Sequence, residues 1–278
     1  MLTKVKLNLT VVFSSVMSYL FATGAVCRFV DVFALGFAGF LVTGSANALN
    51  QVLEKDYDKL MKRTRVRPLP TGRMGVTEAV FVAGIMGVAG IALLAYFFNN
   101  LTALLGALSL LSYAFIYTPL KRIHSIAVVV GAVPGALPVA IGWVAATSLW
   151  SYEASVLFAI QFLWQFPHFW AIGWLAADEY YNAGFRLFPM PRDRNKRTAF
   201  QAILYIVMLV FVSLIPCQLG LTGFWYGAGA ILLGLFFLYY GLKLHKYCTQ
   251  QAALHLMFAS IIYLPLLQIL LVLGRLYP

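Results

Sequence analysis

The sequence predicts an all-α polytopic membrane protein with nine transmembrane helices and a cytoplasmic N-terminus. Three observations predict it. The first is composition: of 278 residues 62% are hydrophobic and 10% charged, with a mean hydropathy of +0.85. A soluble globular chain carries about 25% charged residues. The second is segmentation. Nine apolar stretches each approach the roughly 20 residues that a bilayer core demands: approximately 9–27, 32–50, 76–98, 101–118, 125–146, 153–176, 199–219, 222–242 and 253–273. The third is charge placement. With the N-terminus in the cytoplasm, every base except Arg28 and Arg275 falls in the N-terminal stretch or in the loop after span 2, 4, 6 or 8. Adding or deleting one span would scramble that bias, so it supports both the count and the orientation.

The net charge of +11 could point to nucleic acid. The bases, however, sit in short loops between apolar spans, where the cytoplasmic leaflet explains them better. Membrane lipid is the expected surroundings and no nucleic-acid partner is expected. The start, MLTKVKLNLTVVF, is not a cleavable signal: the run from Leu9 to Cys27 is long enough to span, and Cys27-Arg28-Phe29 is no small-residue cleavage site. Cys27, Cys217 and Cys248 are scattered without a CxxC pair, which supports neither a disulfide framework nor a zinc site. The chain reads as one membrane-embedded domain over 1–278. Its two long loops, 51–75 and 177–198, follow spans 2 and 6, which hints at a duplicated four-helix unit (spans 1–4 and 5–8, plus span 9). Both long loops are cytoplasmic, so chemistry is expected on that side.

The densest polar stretch is 50–73, NQVLEKDYDKLMKRTRVRPLPTGR. Three of the nine carboxylates, Glu54, Asp56 and Asp58, stand there, interleaved with or followed by Lys55, Lys59, Lys62, Arg63, Arg65, Arg67 and Arg73. On span 2, Thr43, Asn47, Asn50 and Glu54 recur at helical spacing on one face, and Asp58 continues it if the helix runs on. Span 6 repeats the device with Gln161, Gln165, His168 and Glu179. Span 4 adds Tyr113, Tyr117 and Lys121. Thr, Asn and Gln also glue helices together in lipid, but glue does not explain why both stripes end in acids.

Glu54 and Asp58 are like charges at i, i+4, destabilising on a bare helix. Either the neighbouring lysines neutralise them on a solvated surface, or a cation lies between them. Asn50 on the same face and a second acid pair, Asp178-Glu179, favour the cation. Carboxylate and amide oxygens converging from two helices suit Mg²⁺, which completes its shell with water and phosphate oxygens. Arg63, Arg65, Arg67, Lys121, Arg194 and Arg197 could supply counter-charges for a diphosphate. His168, beside Pro167 in QFLWQFPHFWAIGW, is an intramembrane ionisable residue and therefore a candidate site residue, or else a hydrogen-bonded packing residue.

The run 50–73 resembles the first signature of the UbiA superfamily of intramembrane prenyltransferases, in which Asn and two acids stand at four-residue intervals, here Asn50, Glu54 and Asp58. The first acid is Glu where much of the superfamily has Asp; either can hold a cation. The tail MKRTRVRPLP resembles the haem O synthase branch. So do YTPLKR (117–122), GAVPGALPVAIGW (131–143), WQFPHFWAI (164–172) and DEYYNAGFRLFPM (178–190). Spans 7 to 9 match only in hydropathy. The resemblance implies nine helices around a central cavity, and transfer of a farnesyl group from farnesyl diphosphate to a vinyl group of haem B, giving haem O. It implies that Asn50, Glu54 and Asp58 hold Mg²⁺ and diphosphate from one half, and Asp178 and Glu179 from the other. Arg63, Arg67 and Lys121 would grip diphosphate, with Arg197 beside them. His168 would contact haem or ligate its iron. Tyr113, Tyr117, Trp164 and Gln165 would line the haem and prenyl site. A cytoplasmic membrane of a prokaryote, and a haem A synthase or terminal oxidase downstream, complete the expectation. Two other readings stand beside it: a prenyltransferase for a quinone precursor or other aromatic ring, and a secondary transporter of an anionic substrate.

Overall fold

Residues 2–185 and 194–276 are described in the computed structural model. Arg186, Arg192 and the RLFPM end of the 178–190 segment lie outside them. α1 (Val5–Thr23) begins before the expected span and stops at Gly24, whose φ of 59° suits glycine. Its polar start does not exclude it from the bundle, because the buried Asn8 donates to the Phe40 carbonyl at 2.9 Å. α2 (Phe29–Leu53) reaches Glu54, where φ −103° and ψ 6° interrupt the helix. α3 (Lys55–Asp58) resumes it at once, with the Asp58 N–H donating to the Glu54 carbonyl at 2.8 Å. The helical path therefore runs on, and Asp58 lies about one turn beyond Glu54.

α4 (Val76–Phe97) follows the polar loop. α5 (Asn100–Leu111) is capped by the Asn99 side chain, which accepts from the Thr102 N–H. It continues as a π-helical turn, Ser112–Tyr117, and α6 (Thr118–Leu120). Then come α7 (Ala127–Thr147) and α8 (Tyr152–Asn182). α8 outruns its expected end at 176 because nothing in its last turns breaks a helix until Gly184, at φ 78°. α9 (Lys196–Ser213), capped by Asn195, and α10 (Ile215–Gln218) make the seventh span. α11 (Phe224–Tyr247) and α12 (Gln250–Leu276) are the last two. Among the described residues there are nine spans long and apolar enough to cross a membrane, and no strand.

Large apolar side chains such as Phe33, Phe37, Val88, Phe211 and Leu232 are exposed on the outside of the bundle, as lipid-facing residues should be. The interior holds two apolar clusters. One joins α1, α2, α4, α5 and α7 through Tyr19, Leu35, Val42, Leu94, Leu137 and Val144. The other joins α7, α8, α9, α11 and α12 through Trp174, Phe166, Ile206, Phe237 and Tyr263. α7 is common to both and is the most buried span. Its close packing needs small residues: a Cβ on Gly142 would collide with the Ser15 carbonyl oxygen of α1. Pro138 removes the N–H that would serve the Pro134 carbonyl, and the Ser109 hydroxyl of α5 donates to that carbonyl instead, at 3.3 Å.

Gly142→Ala is expected to destabilise the bundle by about 1–3 kcal/mol through overpacking. The check is the midpoint of thermal unfolding in detergent. Gly84→Ala, inside α4 where a Cβ meets nothing within 4 Å, should not lower that midpoint and is expected to raise it slightly through helix propensity.

Candidate active site

The stripes on α2 and α8 line one cavity with two chambers. The outer chamber, about 710 Å³, is lined by Asn50, Glu54, Asp58, Arg63, Arg67 and Lys121, with Lys4, Tyr180 and Phe185. That volume lies within the ~300–1,000 Å³ of ordinary ligand sites. The inner chamber, about 210 Å³, is lined by Thr43, Asn47, Gln161, Trp164, Gln165, Pro134 and Leu264 among others. Leu7, Tyr113, Tyr117, His168 and Phe169 line both and join them.

The π-helical turn sets the junction. Such turns cost hydrogen-bond regularity and commonly mark functional sites. Here the turn brings the Thr118 hydroxyl back to the Tyr113 carbonyl at 2.8 Å. That hydroxyl has spent its only proton, so it can only accept from Asn50 Nδ2, at 3.1 Å. The amide of Asn50 is thereby oriented, and its Oδ1 is left to Lys4 Nζ at 2.7 Å. The Tyr113 and Tyr117 rings stand 5.4 Å apart. Tyr117 fits against α7 only because Gly131 carries no side chain; a Cβ there would strike its ring.

Glu54 and Asp58 are 4% and 0% exposed. Burying carboxylates is costly unless cations meet them. Lys121 Nζ stands 2.5 Å from Glu54 Oε1, an ion pair rather than a well-directed hydrogen bond. The same ammonium lies 4.8 Å from the Tyr117 ring centroid and 5.5 Å from that of Phe185. Arg67 Nη1 donates to both Asp58 oxygens, at 2.9 and 2.7 Å. Arg67 can turn back because Leu69 is buried beside Ala48, Ala79 and Ala83, anchoring the loop. Burial raises the Asp58 carboxyl above its ordinary range, and Arg67 opposes that shift. Lys4 is lowered to about 7, chiefly by burial and then by the positive charges of Arg67 and Lys121.

Three expected residues are not brought to the cavity. Asp178 is exposed and pairs with Arg194 Nη2 at 2.9 Å, and Glu179 is only half-buried. Neither is among the lining residues. An apolar cluster of Met61, Ala183 and Phe185, flanked by Tyr57 and Tyr180, occupies that side of the mouth instead. Arg197 is exposed on the first turn of α9 and lines neither chamber. The amide and carboxylate oxygens that face the outer chamber are therefore, among the described residues, those of Asn50, Glu54 and Asp58. Among the described residues no three His, Cys, Asp or Glu side chains converge as a metal cage. The donors fit Mg²⁺, which takes one or two carboxylates and fills its shell with water and phosphate oxygens, and they do not fit a metal that needs a full protein cage.

His168 is held by α12. Its Nδ1 lies 2.7 Å from Ser260 Oγ, and Ser260 donates its proton to the Met257 carbonyl at 2.5 Å. Ser260 can then only accept, so Nδ1 carries the imidazole proton and Nε2 the lone pair. Trp164 stacks on His168 at 4.8 Å and donates from Nε1 to the Ser260 carbonyl at 2.7 Å. Gln165 Nε2 donates to the Ala132 carbonyl at 2.9 Å, tying α8 to α7. Sequence reasoning missed Lys4, Thr64, Thr118 and Ser260 as site residues. Lys4 is legible only as one more loop base; Thr64, whose hydroxyl donates to the nearby Asp58 carbonyl at 2.9 Å, Thr118 and Ser260 are isolated hydroxyls whose contacts depend on how the loop turns, on the π-helical turn and on a distant helix.

A nine-span bundle with acids and cations at one end of a deep cavity is the architecture of an intramembrane prenyltransferase, and comparison agrees: residues 11–262 match the UbiA prenyltransferase family, to which the chain belongs. It is an integral membrane protein. Among its relatives is a protoheme IX farnesyltransferase of Christiangramia forsetii, 47% identical over 99% of this chain and 92% of that one. Another of the same name, from Cytophaga hutchinsonii, is 43% identical over 99% and 96%. A structure of a digeranylgeranylglyceryl phosphate synthase superposes with a TM-score of 0.82 at 18% identity, covering 100% of this chain and 97% of that one. A UbiA homologue from Archaeoglobus fulgidus, bound to DMAPP and Mg²⁺, gives 0.67 at 13% identity over 98% and 97%.

Arg67→Met leaves the Asp58 carboxylate buried without its cation and is expected to cost roughly 3 kcal/mol. Adding Asp58→Asn should recover most of that loss. Thermal or denaturant unfolding of the two single variants and the double variant measures the coupling.

Proposed function

We propose that this protein transfers a farnesyl group from farnesyl diphosphate to a vinyl group of haem B, giving haem O. The observation that carries this reading is the two-chamber cavity, whose charged outer part meets a more apolar inner part at Tyr113, Tyr117 and His168. The names of full-length relatives support the haem acceptor.

In this reading Arg63, Arg67 and Lys121 bind diphosphate oxygens. Arg67 and Lys121 can do so because they already stand at the carboxylates whose oxygens face the cavity. Asn50, Glu54 and Asp58 would hold Mg²⁺, which supplies positive charge against the leaving diphosphate when bound. The C–O bond breaks and its electron pair leaves with the diphosphate. The Tyr113 and Tyr117 rings line the place where the allylic cation would form and stabilise it by their π faces while excluding water. The vinyl π pair then forms the new C–C bond. The cation left on the porphyrin side takes up water, which loses a proton to give the hydroxyl. His168, its lone pair fixed on Nε2, holds haem through the iron, with Trp164 and Gln165 bordering the ring and tail. Asp178, Glu179 and Arg197 belong to the proposal on the resemblance alone; Asp178 would have to leave Arg194 to join the metal. In this reading the chemistry lies on the cytoplasmic side of a prokaryotic inner membrane, the side being supported by the distribution of bases, with a haem A synthase or terminal oxidase as consumer of the product.

Incubation with reduced haem B, farnesyl diphosphate and Mg²⁺ should give haem O by mass spectrometry; no product under those conditions overturns the proposal, and prenylation of a quinone precursor instead would reassign the acceptor. Asp58→Asn should abolish turnover while folded yield stays close to wild type, and normal turnover removes Asp58 from the site. His168→Ala should weaken haem binding, read from the haem absorption band, more than it weakens diphosphate binding. Asp178→Asn with wild-type metal affinity would exclude Asp178 from the metal set.

A further inference from the structure

We propose that Lys4 is a resident counter-cation of the metal site: its ammonium holds Asn50 Oδ1 until Mg²⁺ takes that oxygen, and it then turns to the diphosphate. This rests on the reading of Asn50, Glu54 and Asp58 as the metal-binding set.

Four observations carry it. Lys4 Nζ lies 2.7 Å from Asn50 Oδ1, the same oxygen that the Thr118 contact orients toward the cavity. An amide oxygen has two lone pairs, but an ammonium at hydrogen-bond distance and a divalent cation on the same oxygen repel strongly. Lys4 is also built into this place. Its backbone lies in the left-handed region, φ 48° and ψ 57°, a conformation that costs an L residue about 1–2 kcal/mol. The neighbouring chain imposes it: Leu2 is buried against Ala48, Leu69, Ala79 and Ala83, and Gln51 donates to the Leu2 carbonyl. A strained, over-determined residue aimed at a cavity is characteristic of a functional position. Finally, the three carboxylate and amide sites of the cavity each have one cation: Lys121 on Glu54, Arg67 on Asp58 and Lys4 on Asn50. Each is a placeholder on an oxygen and is charged to receive a phosphate oxygen once displaced. A flexible lysine stem allows that rotation without moving the backbone.

The test uses the full-length protein in nanodiscs and Mn²⁺ as the probe, read by electron paramagnetic resonance. With Mn²⁺ alone, Lys4→Met should bind the ion about tenfold more tightly than wild type, because one charge-assisted contact no longer competes. With Mn²⁺ present, inorganic diphosphate should bind the same variant about tenfold more weakly. Lys4→Arg keeps the charge and should stay near wild type in both measurements, which separates loss of the cation from disturbance of the residues that precede α1. Unchanged or weaker Mn²⁺ binding by Lys4→Met overturns the proposal, as does unchanged diphosphate affinity. If wild type binds no Mn²⁺ and Asp58→Asn matches it, the metal-site reading falls and the proposal with it. If wild type binds Mn²⁺, Asp58→Asn does not, and Lys4→Met equals wild type, the reading stands and Lys4 alone is excluded.

Discussion

Two carboxylates buried at the end of α2 must be neutralised, and the charged end of the molecule is arranged around that need. Glu54 and Asp58 sit where the bundle offers little water, so each requires a cation from another element. Lys121 comes from the end of α6, and Arg67 from a loop pinned by Leu69. Meeting that requirement brings α2, α6 and the polar loop to one place. The same convergence leaves a cavity with acids and cations facing each other across it. Basic side chains outnumber the two carboxylates around that cavity, which suits a ligand that brings a metal to the acids and a polyanion to the bases.

The apolar remainder positions this end. α7 packs against both halves through small residues; its Pro134 carbonyl, freed by Pro138, accepts from Ser109 of α5, and its Ala132 carbonyl accepts from Gln165 of α8. These interhelical bonds bring α8 to the cavity at a fixed rotation, which sets His168 at the junction of the chambers. Ser260 of α12 then fixes its tautomer. Spans that contribute no charged residue to the site therefore still decide which nitrogen presents a lone pair.

The π-helical turn at Ser112–Tyr117 links these two halves of the design. A regular α-helix would leave Thr118 unable to reach the Tyr113 carbonyl, five residues back. Through Thr118 the turn orients Asn50, and through Tyr113 and Tyr117 it supplies the aromatic junction. Nothing in SYAFIY announces it, because π geometry has no short-range residue signature comparable to a glycine turn or a cap.

The nine spans, the polar stripes of α2 and α8, and the membership of Asn50, Glu54, Asp58, Arg63, Arg67, Lys121, His168, Tyr113 and Tyr117 in one cavity were legible in the sequence. Hydropathy and helical periodicity are local properties, and the family signature carries the order of the motifs. The position of Asp178, Glu179 and Arg197 was not. Periodicity places Glu179 on the stripe of α8, but it cannot say that Phe185 and Tyr180 fold over that side of the mouth with Met61. Nor could it show that Lys4 meets Asn50, that Thr118 orients it, or that Ser260 selects the His168 tautomer. Each of those contacts joins residues far apart in the chain, or depends on an unannounced turn, and so was decided only when the helices packed.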